Sequence, residues 1–155
     1  MDLSDLLTPE AVIGSLHAQS KKQALQEVCD RAAGLTGLPE RDIFDAILQR
    51  ERLGSTGVGQ GVAIPHGKQR SLEKLVGVFA RLVRPIEFDA LDEQPVDLVF
   101  LLLAPESAGA DHLKALARIA RVLRDGNVAQ KLRLAPNEAA IYSILANPAQ
   151  GSHAA

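Results

Sequence analysis

Apolar residues recur at helical spacing through the first third of the chain. Leu25, Val28, Cys29 and Ala32 form one stripe, predicting a buried helix face. Ser20 and Gln23 have capping-box spacing, each able to satisfy the other's unpaired backbone N–H, so the helix opens at Ser20. A short strand over Val12 to Leu16 precedes it. Pro39 suits the first turn of a second helix, where its missing N–H costs nothing. Ile43, Phe44, Ile47 and Leu48 form that helix's apolar face, and Gly54 stops it. Arg50 and Glu51 continue the same face (43, 47, 50 and 44, 48, 51). A charged pair at the end of a core-facing stripe must reach water, a partner or a site.

The period then changes. Val62 to Ile64 reads as a short strand ending at Pro65, and Val76 to Val83 is rich in β-formers. Val96 to Leu103 is nearly all apolar and predicts a central strand covered on both faces. Pro85 and Pro95 punctuate the connections. Helix returns at Asp111, with Leu113, Leu116, Ala120 and Leu123 on one stripe and Asp125-Gly126-Asn127 as the stop. A short helix near Val128 to Leu132 follows, and a last one runs from about Pro136 to Leu145. The expected class is α/β: one domain, a mixed β-sheet with helices on both faces. That domain spans residues 1–146, and the small polar tail over 147–155, with His153, is expected to be disordered.

Composition narrows the function. The 155 residues carry 17 Lys+Arg against 19 Asp+Glu, a net charge of −2, so no basic excess exists to neutralise nucleic-acid phosphates. Four Phe and one Tyr cannot make a base-stacking platform. The single cysteine, Cys29, excludes an internal disulfide framework and a Cys-rich zinc site, leaving a role as core filler. The acidic start Met1-Asp2-Leu3-Ser4-Asp5 is unlike a signal peptide. The longest apolar run, Leu98 to Ala104, is far shorter than the ~20 residues of a spanning helix. The expectation is a cytoplasmic protein that neither inserts in a membrane nor binds nucleic acid.

Core packing does not explain the stretch from Gly54 to Lys68, where five glycines fall in fifteen residues. Gly57, Gly59 and Gly61 alternate, and Val62 stands where a dinucleotide fingerprint needs its third glycine. Gly61 and Gly67 enclose five residues, and Lys68 precedes Gln69, so no Walker loop is present. The esterase elbow G-x-S-x-G occurs nowhere. What remains is His66, between Pro65, which fixes the backbone leaving the strand, and Gly67, which has no side chain to shield the ring. With an ordinary pKa of ~6.5, a neutral imidazole offers one nitrogen lone pair as nucleophile while an acceptor holds the other N–H. A surface turn residue is an equal alternative on this local pattern.

Two further residues could complete a site. His112 begins a helix on the stripe of Leu116 and Ile119 and so faces inward; a capping or core histidine is the plainer reading. Arg50 suits a helix C-terminus, yet its rigid donor fork also grips a phosphoryl group. Two histidines with an arginine fit phosphate handling better than metal binding, because the arginine repels a cation. The Ser55 and Thr56 hydroxyls and the loop amides are further candidate donors. Val58, Val62 and Ile64 form an apolar collar around the site or simply pack the sheet edge. His17 has no companion motif and reads as a surface or sheet-edge residue.

Arg50-Glu51-Arg52-Leu53-Gly54-Ser55-Thr56-Gly57 and Gly61-Val62-Ala63-Ile64-Pro65-His66-Gly67-Lys68 together resemble the enzyme IIA domains of the bacterial phosphoenolpyruvate-dependent phosphotransferase system. The likeness is to the fructose/mannitol type, closest to its nitrogen-regulatory branch. It continues through Pro85-Ile86-Glu87-Phe88-Asp89-Ala90, Gln94-Pro95-Val96-Asp97-Leu98-Val99 and His112-Leu113. The resemblance implies that His66 is the phosphoacceptor, forming tele-phosphohistidine with a phosphoryl group from an HPr-like carrier. The family's arginine falls on Arg50 and its second active-site histidine on His112. A mixed sheet with the site at its edge, and no cofactor or metal, are further implications. A free-standing chain favours regulation of nitrogen- or potassium-linked targets, such as potassium transport or sensor kinases. The alternatives are a sugar-specific subunit passing phosphate to a permease IIB domain, and an interaction-only regulator.

Overall fold

The computed structural model describes residues 1–148; residues 149–155, which include most of the expected tail and His153, lie outside the described residues. Two 3₁₀ turns, Leu3–Asp5 and Pro9–Ala11, lead into β1 (Val12–Leu16), α1 (Lys21–Thr36) and α2 (Glu40–Leu53). Three short strands follow: β2 (Gly57–Gly59), β3 (Val62–Ala63) and β4 (His66–Gln69). Two long ones, β5 (Val76–Ile86) and β6 (Val96–Pro105), precede α3 (Ala110–Arg124), α4 (Gly126–Leu134) and α5 (Glu138–Ala146). The sheet is mixed, in the order β1-β5-β6-β3-β2, with β4 also paired to β6. β5 and β6 are antiparallel, β1 runs parallel to β5, and β3 and β4 run parallel to β6.

β6 is the centre because its sequence cannot be anything else. Leu98 to Ala104 are fully buried, so helices must cover both faces of the strand. Phe79 and Phe100 meet across β5 and β6 with ring centroids 6.4 Å apart. Gly77 makes room for this pair, since a Cβ there would sit 2.7 Å from the Phe100 ring.

Several local expectations shift by a residue or a partner. Ser20 Oγ accepts the Gln23 N–H at 3.1 Å, but Gln23 returns its bond to Gln19 N–H, not to Ser20. Pro39 is the N-cap of α2, outside its first turn, with extended backbone. Pro85 lies inside β5 rather than in a connection; it is exposed, and the β5–β6 register breaks between Arg81 and Ile86, where no ladder N–H is needed. On α3 the buried stripe is His112, Ala115, Ile119, Val122 and Leu123, whereas Leu113 is 68% exposed. The two candidate stripes differ by a turn of the helix through one residue, and both are largely apolar, so only packing chooses between them. Asp125 ends α3 and also caps α4, accepting from the Asn127 and Val128 amides.

The helices fasten the sheet margin that carries the glycine-rich stretch. From α4, Arg133 makes a two-point contact with Asp97 at 2.9 Å and donates to the Gln60 carbonyl between β2 and β3. Gly61 occupies a left-handed conformation (φ 80°) beneath that guanidinium, where a Cβ would lie 2.6 Å from Arg133 Nη2. Arg81 donates to the Gly14, Leu132 and Ala135 carbonyls, joining β1 to the end of α4. No helix among the described residues is long and apolar enough to cross a membrane.

Candidate phosphoacceptor site

His66 opens a strand instead of ending one. The chain leaves β3 at Ala63, Pro65 accepts from the Leu102 N–H at 2.9 Å, and β4 then pairs beside β6 with His66 opposite Leu102. Gly67 serves close packing more than access, because a Cβ there would meet Ile47 Cδ1 of α2 at 3.2 Å. β4 therefore lies tight against α2, and α2 delivers Arg50 from its last turn.

The backbone turn Ile64-Pro65-His66 fixes the imidazole. His66 Nδ1 lies 2.8 Å from the Ile64 carbonyl oxygen. A carbonyl only accepts, so Nδ1 carries the proton and Nε2 the lone pair. Burial pushes the His66 pKa below its ordinary value, the Ile64 carbonyl opposes this, the Arg50 charge lowers it further and Glu51 raises it. The neutral, nucleophilic form is thereby favoured near neutral pH.

His112 stands beside it, with the two ring centroids 5.6 Å apart and the planes 76° to one another. His112 is only 8% exposed, and its Nε2 is buried without a hydrogen-bond partner among the described residues. An unmet buried polar atom costs on the order of 1–3 kcal/mol, which makes His112 Nε2 a candidate hydrogen-bonding group for a ligand held beside His66. Burial, the His66 ring and the Lys68 charge all lower its pKa. Lys68, two residues beyond His66 on β4, shares its face of the strand. Lys68 stands in the motif around His66, but its place on the same face follows only from β4 being a strand, with its period of two.

The structure sets His66 against His112 and within electrostatic reach of Arg50, but it directs Ser55 and Thr56 elsewhere. Ser55 Oγ donates to the Phe88 carbonyl at 2.8 Å, and Thr56 Oγ1 donates to Glu51. Both hydroxyl protons are thus committed to protein acceptors, correcting the expectation that they face a phosphoryl group. Val62 and Ile64 are buried in the core, so they pack the sheet and form no collar. The charged pair at the end of α2 splits: Arg50 Nη1 donates to the Gly54 carbonyl at 2.9 Å, while Glu51 turns inward. Among the described residues no group of three or more His, Cys, Asp or Glu could hold a metal ion. A cleft of about 470 Å³ between the N-terminal turn and the start of α3 has none of His66, His112 or Arg50 in its lining, so the ring site is separate from it.

Residues 5–147 match the family described as "Phosphoenolpyruvate-dependent sugar phosphotransferase system, EIIA 2". A nitrogen regulatory protein of Bradyrhizobium diazoefficiens is 64% identical over 148 residues, covering 96% of this chain and 97% of that protein. That of Escherichia coli is 44% identical over 146 residues, covering 94% and 90%. The crystal structure of the nitrogen regulatory protein IIA-Ntr from Neisseria meningitidis superposes with a TM-score of 0.88 at 34% identity, covering 92% of this chain and 98% of that one. With the matched residues running from the first turn through α5, the chain belongs to the EIIA 2 family of the phosphoenolpyruvate-dependent phosphotransferase system.

Proposed function

We propose that this IIA component accepts a phosphoryl group on His66 Nε2 from an HPr-like phosphocarrier and reports its phosphorylation state to nitrogen- or potassium-linked regulatory targets. The observation that carries the reading is the Nδ1–H bond to the Ile64 carbonyl, which leaves Nε2 as the free nucleophile on a ring packed beside His112. In the transfer, His66 Nε2 forms a bond to phosphorus as the carrier's N–P bond breaks. The carrier's imidazole leaves with the bonding pair. Positive character develops on His66 Nδ1–H, and the Ile64 carbonyl accepts from it more strongly as it does. Arg50 and His112 donate to the phosphoryl oxygens, so positioning and charge carry the step and this reading requires no metal or cofactor.

The site's rim suits a protein donor. Leu53, at the end of α2 beyond Arg50, and Leu113, the residue after His112 on α3, are 85% and 68% exposed, apolar side chains that a docking protein could cover. The regulatory half of the reading is supported by the relatives named nitrogen regulatory protein. Phosphorylation adds roughly −1.5 to −2 charge there, enough to change partner choice without refolding.

Incubation with phosphoenolpyruvate and the general carriers, followed by intact-mass measurement, tests it. Wild type gains one phosphoryl group, and His66→Ala gains none while keeping its fold. Full labelling of His66→Ala removes the assignment. Onward transfer to a permease IIB domain, in place of a phosphorylation-dependent regulatory contact, would favour the sugar-specific alternative.

A further inference from the structure

We propose that Glu51 is a positioning residue for phosphoryl transfer: through Thr56 it fixes the 54–57 turn, so that the Gly54 carbonyl holds the Arg50 guanidinium in the orientation the transfer needs. This rests on His66 being the acceptor.

Glu51 is the one acidic residue on the buried face of α2, 7% exposed and next to Arg50 on the helix's last turn. A carboxylate taken out of water is kept only where partners replace the water. Three do so here. Lys21 Nζ of α1 approaches to 2.9 Å, the Thr56 N–H donates at 3.2 Å and the Thr56 hydroxyl donates as well. Lys21 is held in turn over the Phe88 ring, 4.9 Å from its centroid, with Asp89 at 3.9 Å. Ser55, between Gly54 and Thr56, donates to the Phe88 carbonyl and accepts from the Gly57 N–H at 3.0 Å. The turn is therefore pinned on the side of Glu51 and on the side of Phe88.

Arg50 is anchored to this turn by its bond to the Gly54 carbonyl. A guanidinium donates in one plane along fixed directions, so the N–H held by Gly54 sets where the remaining donors point. Freeing Thr56 from Glu51 would let the carbonyl move, and the fork would move with it. A Glu51 that only stabilised the fold would show no kinetic dependence on Arg50, and that difference makes the idea testable.

Single-turnover transfer from histidine-phosphorylated HPr to the full chain is measured for wild type, Glu51→Gln, Arg50→Ala and the double variant. Glu51→Gln should lower the rate at saturating carrier about tenfold in the wild-type background and by less than about twofold in the Arg50→Ala background. Equal losses in both backgrounds, or no loss in either, would overturn the proposal. Should Glu51→Gln fail to fold, Thr56→Val and Thr56→Ser decide it: the valine variant loses rate only when Arg50 is present, and the serine variant restores it. A loss that serine does not rescue counts against the proposal. Failure of wild type to label at all, or labelling of His66→Ala, would instead remove the acceptor, and this inference with it.

Discussion

The β5–β6 pair and the glycine-rich segment from Gly54 to Gln69 share one sheet but are held by different forces. β6 is apolar from Leu98 to Ala104 and pairs with β5 from Val76 to Arg81 in unbroken register. Burial fixes it, and many side chains share the work. The glycine-rich segment has three strands of two to four residues, stitched to the rest by single side-chain bonds: Glu51 to Thr56, Arg133 to the Gln60 carbonyl and Asp92 to the Gln60 backbone N–H from outside it, and Ser55 to the Phe88 carbonyl from within it. The first region gives rigidity, and the second places individual atoms. A ring whose proton must sit on one nitrogen belongs to the second, supported by the first.

Substitutions in the two regions should therefore separate stability from transfer. Phe100→Ala has the largest expected effect on folding, about 3–5 kcal/mol in a denaturant melt, because it opens a cavity in the sheet centre against Phe79. Arg50→Ala should leave the melt within about 0.5 kcal/mol but slow transfer roughly 100-fold, measured as single-turnover labelling. An unchanged rate would take Arg50 out of the site. Gly61→Ala lies between the regions: a Cβ at φ 80° meets Arg133 and Asp97, with an expected cost of about 1–3 kcal/mol. Its transfer rate falls only if the β2–β3 turn is coupled to His66, so the pair of measurements sharpens the comparison.

The smallest effect is on pH dependence. The His66 and His112 pKa values are lowered in the folded chain, so below the ordinary imidazole value of ~6.5 the unfolded chain binds more protons. Stability from these groups is complete above that pH and declines as pH falls through the lowered values. Melts between pH 8 and 5 should show this decline, and it should lessen in His66→Gln. Cys29 adds nothing to it, since burial, aided by Glu40, pushes its thiol up to about 12.

How much of this was readable beforehand follows the same division. The central strand and the apolar stripes of α1 and α2 stood out because long hydrophobic patterns average over many contacts. His66, Arg50 and His112 stand out because their residue types and the family resemblance around them are specific, and the fold sets the two imidazole rings 5.6 Å apart. β2 and β4 did not stand out, because strands of three or four residues held by borrowed hydrogen bonds leave no period in the sequence. The inward face of α3 was one residue off for the opposite reason: both of its candidate stripes are apolar.

From the sequence alone came the α/β class and the single domain, which depend on composition and on periodicity over many residues, and the candidate imidazole His66, which depends on the family resemblance around it. The tertiary structure alone decided what holds the His66 Nδ1 proton, which hydroxyls are already committed and what partners the buried Glu51. Some of these meetings are local, as His66 with Ile64 and Thr56 with Glu51. Others join distant residues, as Ser55 with Phe88 and Lys21 of α1 with Glu51 of α2. All are set by atomic geometry that no hydrophobic period in the sequence records.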